Sequence, residues 1–335
     1  MNDNEIRLGY ACINTELNEF NVLTSRTLKL KTAHEKGLDY IKKLATDNVE
    51  DLLKILIYNE AHGIRFFRIT SCLFPHLGNP QLQNSDYAID FVKDKLKIIG
   101  KFAKENNHRL TMHPGQYVQL GSLDNNVVKN SIVDIINHVL IFKYMNCTPN
   151  DGSVLIIHGG GTFGDRQQTL DRWKNNFNRL PDAAKQYIVL ENDENNYGVN
   201  HLLPFCEENN IPFCLDVFHN NISKDKVSIT DDLIIRILNT WKKRNIIPKM
   251  HLSTQQEDLR RGAHSKTLDI IPFSLLHLPF KFNTKLDIML EVKDKEVSVF
   301  KMYKKYFNIK MNVTGKVFYT LKKKVMRKID KKKSN

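Results

Sequence analysis

The sequence predicts an α/β chain closed into a (β/α)8 TIM barrel with a basic C-terminal extension, and three observations predict it. Eight short apolar runs punctuate the 335 residues. Longer segments with helical periodicity lie between them, and such alternation imposes parallel pairing because each return must cross over the sheet. No GxGxxG follows the first run, which leaves an open, doubly wound dinucleotide-binding sheet as the second choice. A barrel of this kind takes about 250 residues, so one barrel with additions fits the length. The barrel is assigned to residues 1–300 and a basic tail to residues 301–335.

In chain order the strands are read at 7–13 (RLGYACI), 66–70 (FFRIT), 109–113 (RLTMH), 153–158 (SVLIIH), 187–191 (YIVLE), 212–217 (PFCLDV), 248–252 (PKMHL) and 286–292 (LDIMLEV). The clearest helix covers 126–145, where Val128, Ile132, Ile135, Ile136, Val139 and Leu140 recur at helical spacing after the capping string Asp124-Asn125-Asn126. Other helices are expected near 47–62, 86–106, 198–209 and 229–245.

Hydrophobic residues make up 41% and charged residues 26%, the balance of a globular chain. The net charge is +13, and its position matters more than its size. From Lys301 onward there are thirteen Lys or Arg against one acid, Asp330. The rest of the chain is nearly neutral, so the tail points to an anionic polymer or surface, or to a solvated end. The five cysteines (Cys12, Cys72, Cys147, Cys206 and Cys214) form no CxxC. That disfavours disulfide frameworks and thiolate zinc sites and favours a reducing intracellular compartment, cytoplasm or nucleus. MNDNEIRLGY does not read as a signal peptide, and no apolar run approaches a membrane span.

The strand ends carry the chemistry. The first strand leads to Asn14, and the second runs on to Ser71 and His76. The third ends in His113, the fourth in His158 and the fifth in Glu191. The sixth carries Asp216 and His219, the seventh Lys249 and His251, and the eighth ends in Glu291. Barrel folds gather their C-terminal strand ends at one mouth, where their active sites lie. A lone histidine is ordinarily a surface or hydrogen-bonded residue, and His34, His62, His108, His138, His201 and His277 are read so. The strand-end set differs because its members coincide in position. Imidazole and carboxylate without thiolate suit Mn or Zn better than Mg or Ca. The ligands exceed one tetrahedral shell, so two or three divalent ions are expected, with Glu191 as the bridge. Paired ions of this kind are typical of phosphoryl-transfer hydrolases.

Two loops add weaker signals. His113-Pro114-Gly115-Gln116-Tyr117 places a ligand at a strand end and then a turn from which Gln116 and Tyr117 would project. An aromatic plane and an amide on a loop tip can engage a base stack. His158-Gly159-Gly160-Gly161 has the look of a phosphate loop, but a glycine run after a strand says little alone.

Taken together, Arg7-Leu8-Gly9-Tyr10 with Asn14, the HPGQY string, His158-Gly159-Gly160, Leu190-Glu191-Asn192-Asp193, Asp216 with His219, Lys249-Met250-His251-Leu252-Ser253, Gly262-Ala263-His264 and Glu291 resemble the UV damage endonucleases. That family is a branch of the endonuclease IV and xylose-isomerase-like barrels. The resemblance runs from about Arg7 to about Lys293, with the motifs in family order. It implies divalent ions, manganese first, on His113, His158, Glu191, Asp216, His219, His251, His264 and Glu291, with His76 as a further ligand. It implies catalytic roles for Glu191, Lys249, His251 and Glu291, and carboxylation of the Lys249 amine. It implies that Gln116 and Tyr117 probe the duplex and that Tyr10 and Asn14 line the damage pocket. Relatives often carry a second His after the one matching His219; here Asn220 stands there.

The reaction implied is hydrolysis of the phosphodiester immediately 5′ to a cyclobutane pyrimidine dimer or 6-4 photoproduct, leaving a 3′-hydroxyl and a 5′-phosphate. Ions lower the pKa of the attacking water, and a poorly stacked lesion is cheaper to bend and flip than intact DNA. Damaged duplex DNA is the expected partner, with no nucleotide cofactor and a monomeric chain. An abasic-site endonuclease on the same barrel is the first alternative, a metal-dependent sugar isomerase the second, and a non-catalytic DNA-binding barrel the third.

Overall fold

The structure, a computed structural model, describes residues 6–82 and 87–326. Eight parallel strands close in chain order: β1 (Ile6–Ala11), β2 (Phe66–Ile69), β3 (Arg109–Met112), β4 (Leu155–His158), β5 (Ile188–Glu191), β6 (Phe213–Asp216), β7 (Lys249–Leu252) and β8 (Leu286–Leu290). The ring is sealed by β1 against β8, with Leu8 opposite Ile288. All eight predicted strands are present, and the barrel is a (β/α)8 TIM barrel.

A helix returns the chain after each strand: Leu30–Ala61, Lys93–Glu105, Asn125–Tyr144, Arg166–Asn178, Val199–Asn209, Asp231–Lys242, Phe273–Lys281 and Glu296–Tyr306. Asp124, Asp165 and Thr230 cap the third, fourth and sixth by accepting from backbone N–H groups of the first turn, which satisfies donors the helix leaves unpaired. Leu30–Ala61 is longer than expected and is broken at Gly37, where φ is 76°. Its predicted part holds the buried stripe Val49, Leu52, Ile55 and Leu56. Residue 86, the start of the predicted second helix, lies outside the described residues. Arg166–Asn178 escaped the pattern because only Leu170, Trp173 and Phe177 mark its apolar face among ten polar residues. Among the described residues no helix is long and apolar enough to cross a membrane.

Alternation along the strands stacks the inward side chains in layers. At the base, Asp287 accepts from Arg7 Nε (2.6 Å) and Arg109 Nη1 (2.7 Å). Above it Lys249 Nζ lies 3.3 Å from Thr111 Oγ1 and over the Phe66 ring. The uppermost layer is the strand-end set.

Residue 300, where the barrel is expected to end, falls inside Glu296–Tyr306. The Tyr303 hydroxyl receives the Leu8 N–H (3.0 Å) and stacks on Tyr319 at 3.6 Å. β9 (Phe307–Met311) and β10 (Val317–Leu321) then form an antiparallel hairpin. As far as Met326 the extension is folded, its hairpin a separate two-stranded sheet; its last nine residues lie outside the described ones.

Candidate metal centre and cleft

Strand register does the first positioning. His158 on β4 stands opposite Glu191 on β5, and Asp216 on β6 opposite His251 on β7. Asn192 then locks β5 to β6: its amide donates to the Asp216 carbonyl (3.0 Å), and its oxygen receives the Asp216 N–H (2.9 Å). The Asp216 carboxylate is held in turn by the His219 N–H (2.7 Å).

Glu191 is the hub. Its Oε2 lies 3.0 Å from His113 Nε2 and 4.0 Å from His158 Nε2, and its Oε1 lies 2.6 Å from His251 Nδ1. His251 Nδ1 is also 3.0 Å from Glu291 Oε1 and 4.0 Å from Asp216 Oδ2. His264 turns Nδ1 to the Glu291 carbonyl (2.8 Å) and Nε2 toward its carboxylate (3.9 Å). His219 Nε2 is 3.8 Å from Asp216 Oδ2. Two groups of donors lie close enough to share an ion: His113, His158 and Glu191, and Glu191, Asp216 and His251. Glu191 belongs to both.

The electrostatics favour added positive charge. Burial opposes ionisation of Glu191, but His251, His158 and His113 outweigh it and hold the carboxyl well below its usual range. Asp216 is less well served: burial, with Glu191 and Glu291 nearby, pushes it up to about 8. Burial alone would depress the His219 imidazolium, yet Asp216 and Glu194 raise it to about 10. His158 Nδ1, Asp216 Oδ2 and His251 Nε2 are buried without a hydrogen-bond partner in the structure. Buried polar atoms are rarely left so, and a functional ligand is one reason for the exceptions. Three clustered carboxylates with unpaired imidazole nitrogens fit divalent cations, and thiolates are absent from the set.

The structure places three of the expected site residues, His76, Tyr10 and Asn14, apart from the cluster. His76 turns away from the cluster: its Nε2 meets the Leu28 carbonyl (2.8 Å) and its Nδ1 meets Asn79 (3.2 Å), with φ at 59°. Tyr10 and Asn14 line no open pocket. Both are fully buried, Tyr10 donating to Asn59 Oδ1 (2.6 Å) and receiving Asn14 Nδ2 (3.0 Å). Alternation explains this, because Gly9 and Ala11 take the inward positions of β1 and Tyr10 faces the helices. Lys249 lies one layer beneath His251 and is fully buried.

Gln116 stands at the rim, and Tyr117 follows it with 75% of its surface exposed. A Cβ at Gly115 would meet the Tyr117 ring at 2.5 Å, so glycine lets the ring fold back over the turn. The glycine run after β4 cradles a side chain: Gln119 Oε1 receives the Gly161 N–H (2.8 Å), and a Cβ at Gly160 would lie 2.5 Å from that oxygen. Gln119 also donates to the Gln116 carbonyl (2.8 Å) and so couples the two loops.

Sequence reasoning missed two residues that contact members of the strand-end set. Arg68 on β2 donates to Glu291 Oε1; its signal was the alternation Phe66–Arg68, which turns it into the barrel. Glu194 Oε2 lies 2.8 Å from His219 Nδ1 as an ion pair, and the adjacent imidazole holds its carboxyl down at about 2. A carboxylate behind a ligand histidine fixes its tautomer and ring. No periodicity announces Glu194, because it lies on a loop. The cleft above the cluster has a volume of ≈ 730 Å³ and is rimmed by Gln116, Asn195, Arg260 and Arg261.

The UV-endonuclease UvdE family profile matches residues 6–320. A protein of Acanthamoeba polyphaga mimivirus is 56% identical over 96% of this chain and 98% of its own. The UV-damage endonuclease of Schizosaccharomyces pombe is 39% identical over 90% of this chain, which spans only 50% of that longer protein. Among solved structures, SacUVDE superposes with a TM-score of 0.76 at 30% identity, over 89% of this chain and 96% of that one. A D-tagatose 3-epimerase-like protein, at 14% identity and a TM-score of 0.50, shares the fold alone. The chain belongs to the UV-endonuclease UvdE family.

Proposed function

We propose that this chain is a DNA-repair endonuclease for UV damage, which cuts the phosphodiester immediately 5′ to cyclobutane pyrimidine dimers and 6-4 photoproducts and leaves a 3′-hydroxyl and a 5′-phosphate. The observation that carries the reading is Glu191 held between His113 and His251 at the floor of an open cleft. The names of its relatives agree with it: UV-damage endonuclease in S. pombe and UV DNA damage endonuclease in Clostridium perfringens, 32% identical.

His113, His158, Glu191, Asp216, His219, His251, His264 and Glu291 would hold two or three divalent ions, manganese first. Bound there, the ions would supply Lewis acidity for both the attacking and the leaving oxygen. The chain's own work is orientation. Arg68 fixes one oxygen of Glu291 and Glu194 fixes His219. Gln116 and Tyr117, presented on a loop braced by Gln119, would test how readily the duplex unstacks. Lys249 is the amine whose carboxylation the family resemblance implies. Burial lowers it to about 7, so much of it is uncharged at neutral pH and able to add carbon dioxide with loss of one proton. We place the enzyme in the cytoplasm or nucleus, acting as a monomer.

The test is a nicking assay on a duplex with one thymine dimer, with undamaged and abasic duplexes beside it, in Mn²⁺ or EDTA. One Mn²⁺-dependent nick just 5′ of the dimer is expected. Cleavage of the abasic duplex alone would move the chain to abasic-site repair, and no cleavage with metal bound would point to a small-molecule substrate.

A further inference from the structure

The folded part of the basic extension lies on the face of the barrel opposite the cleft. Glu296–Tyr306 follows β8 and runs antiparallel to the strands, so it starts at the mouth and ends at the base. The hairpin then packs against the segments that precede the first three strands. Lys316 Nζ donates to Asn106 Oδ1 (2.7 Å), Arg65 Nη1 to the Val317 carbonyl (2.8 Å), and Tyr319 Oη to the His62 carbonyl (2.9 Å). A recess on this face is lined by Ile6 and Arg7, the first residues of β1, together with Phe318 and Tyr319.

The extension itself is strongly cationic. No Asp or Glu occurs between Glu296 and Asp330. Some lysines are used internally: Lys301 pairs with Asp269, Lys316 lies 3.4 Å from Glu60, and Lys322 donates to the Lys304 carbonyl at the helix C-terminus. Lys304, Lys310, Lys323 and Lys324 are exposed and have no carboxylate at ion-pair distance among the described residues. Ile309, Met311 and Phe318 are exposed among them.

Distance decides what this charge can do. The six residues of β1 alone separate the faces by roughly 20 Å at about 3.3 Å per residue, before the loops are added. Screening at physiological salt takes effect within about 8 Å. The lysines therefore add little attraction for a duplex lying across the mouth. Reaching the base would require that duplex to bend sharply, at a cost set by its stiffness over about 150 base pairs.

We propose that the base of the barrel, through Lys304, Lys310, Lys323 and Lys324, binds a second segment of duplex DNA while the mouth engages the damaged one. The choice of DNA as the polyanion rests on the endonuclease reading. The arrangement would let the enzyme pass between segments during its search, without sequence preference.

The experiment uses the full chain and a variant carrying Lys304→Gln, Lys310→Gln, Lys323→Gln and Lys324→Gln. An immobilised thymine-dimer duplex is saturated with protein in EDTA, and capture of a labelled undamaged duplex of about 20 base pairs is measured. The full chain should capture the second duplex at low salt and release it as salt rises. The variant should capture at least tenfold less. Its salt slope for undamaged duplex in solution should be shallower by roughly three to four, since each phosphate left without its lysine takes about 0.9 from the slope. Its nicking of a short dimer duplex with Mn²⁺ should be unchanged. Failure of the full chain to hold two duplexes, or equal capture by both proteins, overturns the proposal. So does a base surface that takes anionic phosphatidylserine vesicles in preference to DNA. If dimers are not nicked but the difference in salt slope persists, the endonuclease reading fails and the base surface stands.

Discussion

Glu191 Oε1 lies 2.6 Å from His251 Nδ1, although the two are 60 residues apart and sit on strands that are not neighbours. Closure of the barrel makes that pairing, and the opposite carboxylate oxygen reaches His113. Removing this carboxylate takes one donor from both candidate ion sites at once. Glu191→Ala should abolish nicking and lower the stoichiometry of bound Mn²⁺, read by metal analysis of the purified protein. Full activity with one ion fewer would sink the bridging role.

Glu194 acts through His219, so its loss should be graded. Glu194→Gln keeps the shape and removes the charge that orients the imidazole. Outer carboxylates of this kind are worth about 10–100-fold in metal affinity or activity. Isothermal titration with Mn²⁺ should show a loss in that range while the unfolding midpoint of the metal-free protein stays near that of the wild type. Unchanged affinity would make the pair structural.

At the other end of the barrel, Asp287 receives both Arg7 and Arg109 and is almost completely buried. Burial would raise its pKa, but the two guanidinium groups win and hold the carboxyl below its usual value. Its contribution is therefore present above the ordinary carboxylate pKa of about 4 and is lost as pH falls through that value toward the depressed one. Asp287→Asn should cost about 3–5 kcal/mol at neutral pH, because it leaves buried Arg109 and half-buried Arg7 under-compensated. Denaturant unfolding between pH 6 and pH 3 should show wild-type stability falling more steeply than that of the variant. Parallel curves would count against the pairing.

Much of this was legible before the fold was seen, for a physical reason. A closed parallel barrel buries its strands on both faces, so they read as apolar runs, and a polar residue at the end of such a run stands out. His113, His158, Glu191 and Glu291 stand out in that way, and the fold gathers them. Alternation along β1 turns Tyr10 outward, toward the helices, and its hydroxyl there receives Asn14. His76 lies beyond its strand in a turn with positive φ, where position in the sequence no longer fixes direction. Arg68 was hidden inside an apolar run, and Glu194 on a loop that only the tertiary fold brings to His219. The basic tail was visible as charge, but its face was not, since that depends on where the last helix leaves the chain.

Tyr117 sits beyond the metal cluster and should separate recognition from chemistry. Its ring is largely exposed, folded over Gly115, and its loop is braced through Gln119 to the glycine run after β4. An exposed aromatic next to a cleft loses little stability on truncation, since it gives up little buried surface. Stacking of one base on an aromatic ring is worth about 1–3 kcal/mol, which corresponds to roughly 5- to 150-fold in affinity. Tyr117→Ala should therefore weaken binding of a thymine-dimer duplex within that range and leave Mn²⁺ binding untouched. Tyr117→Phe should restore most of it, because the ring and not the hydroxyl does the stacking. Anisotropy titrations in EDTA would measure both variants against damaged and undamaged duplex. An equal loss on the two duplexes would make the ring a general DNA contact, and no loss on either would remove it from recognition.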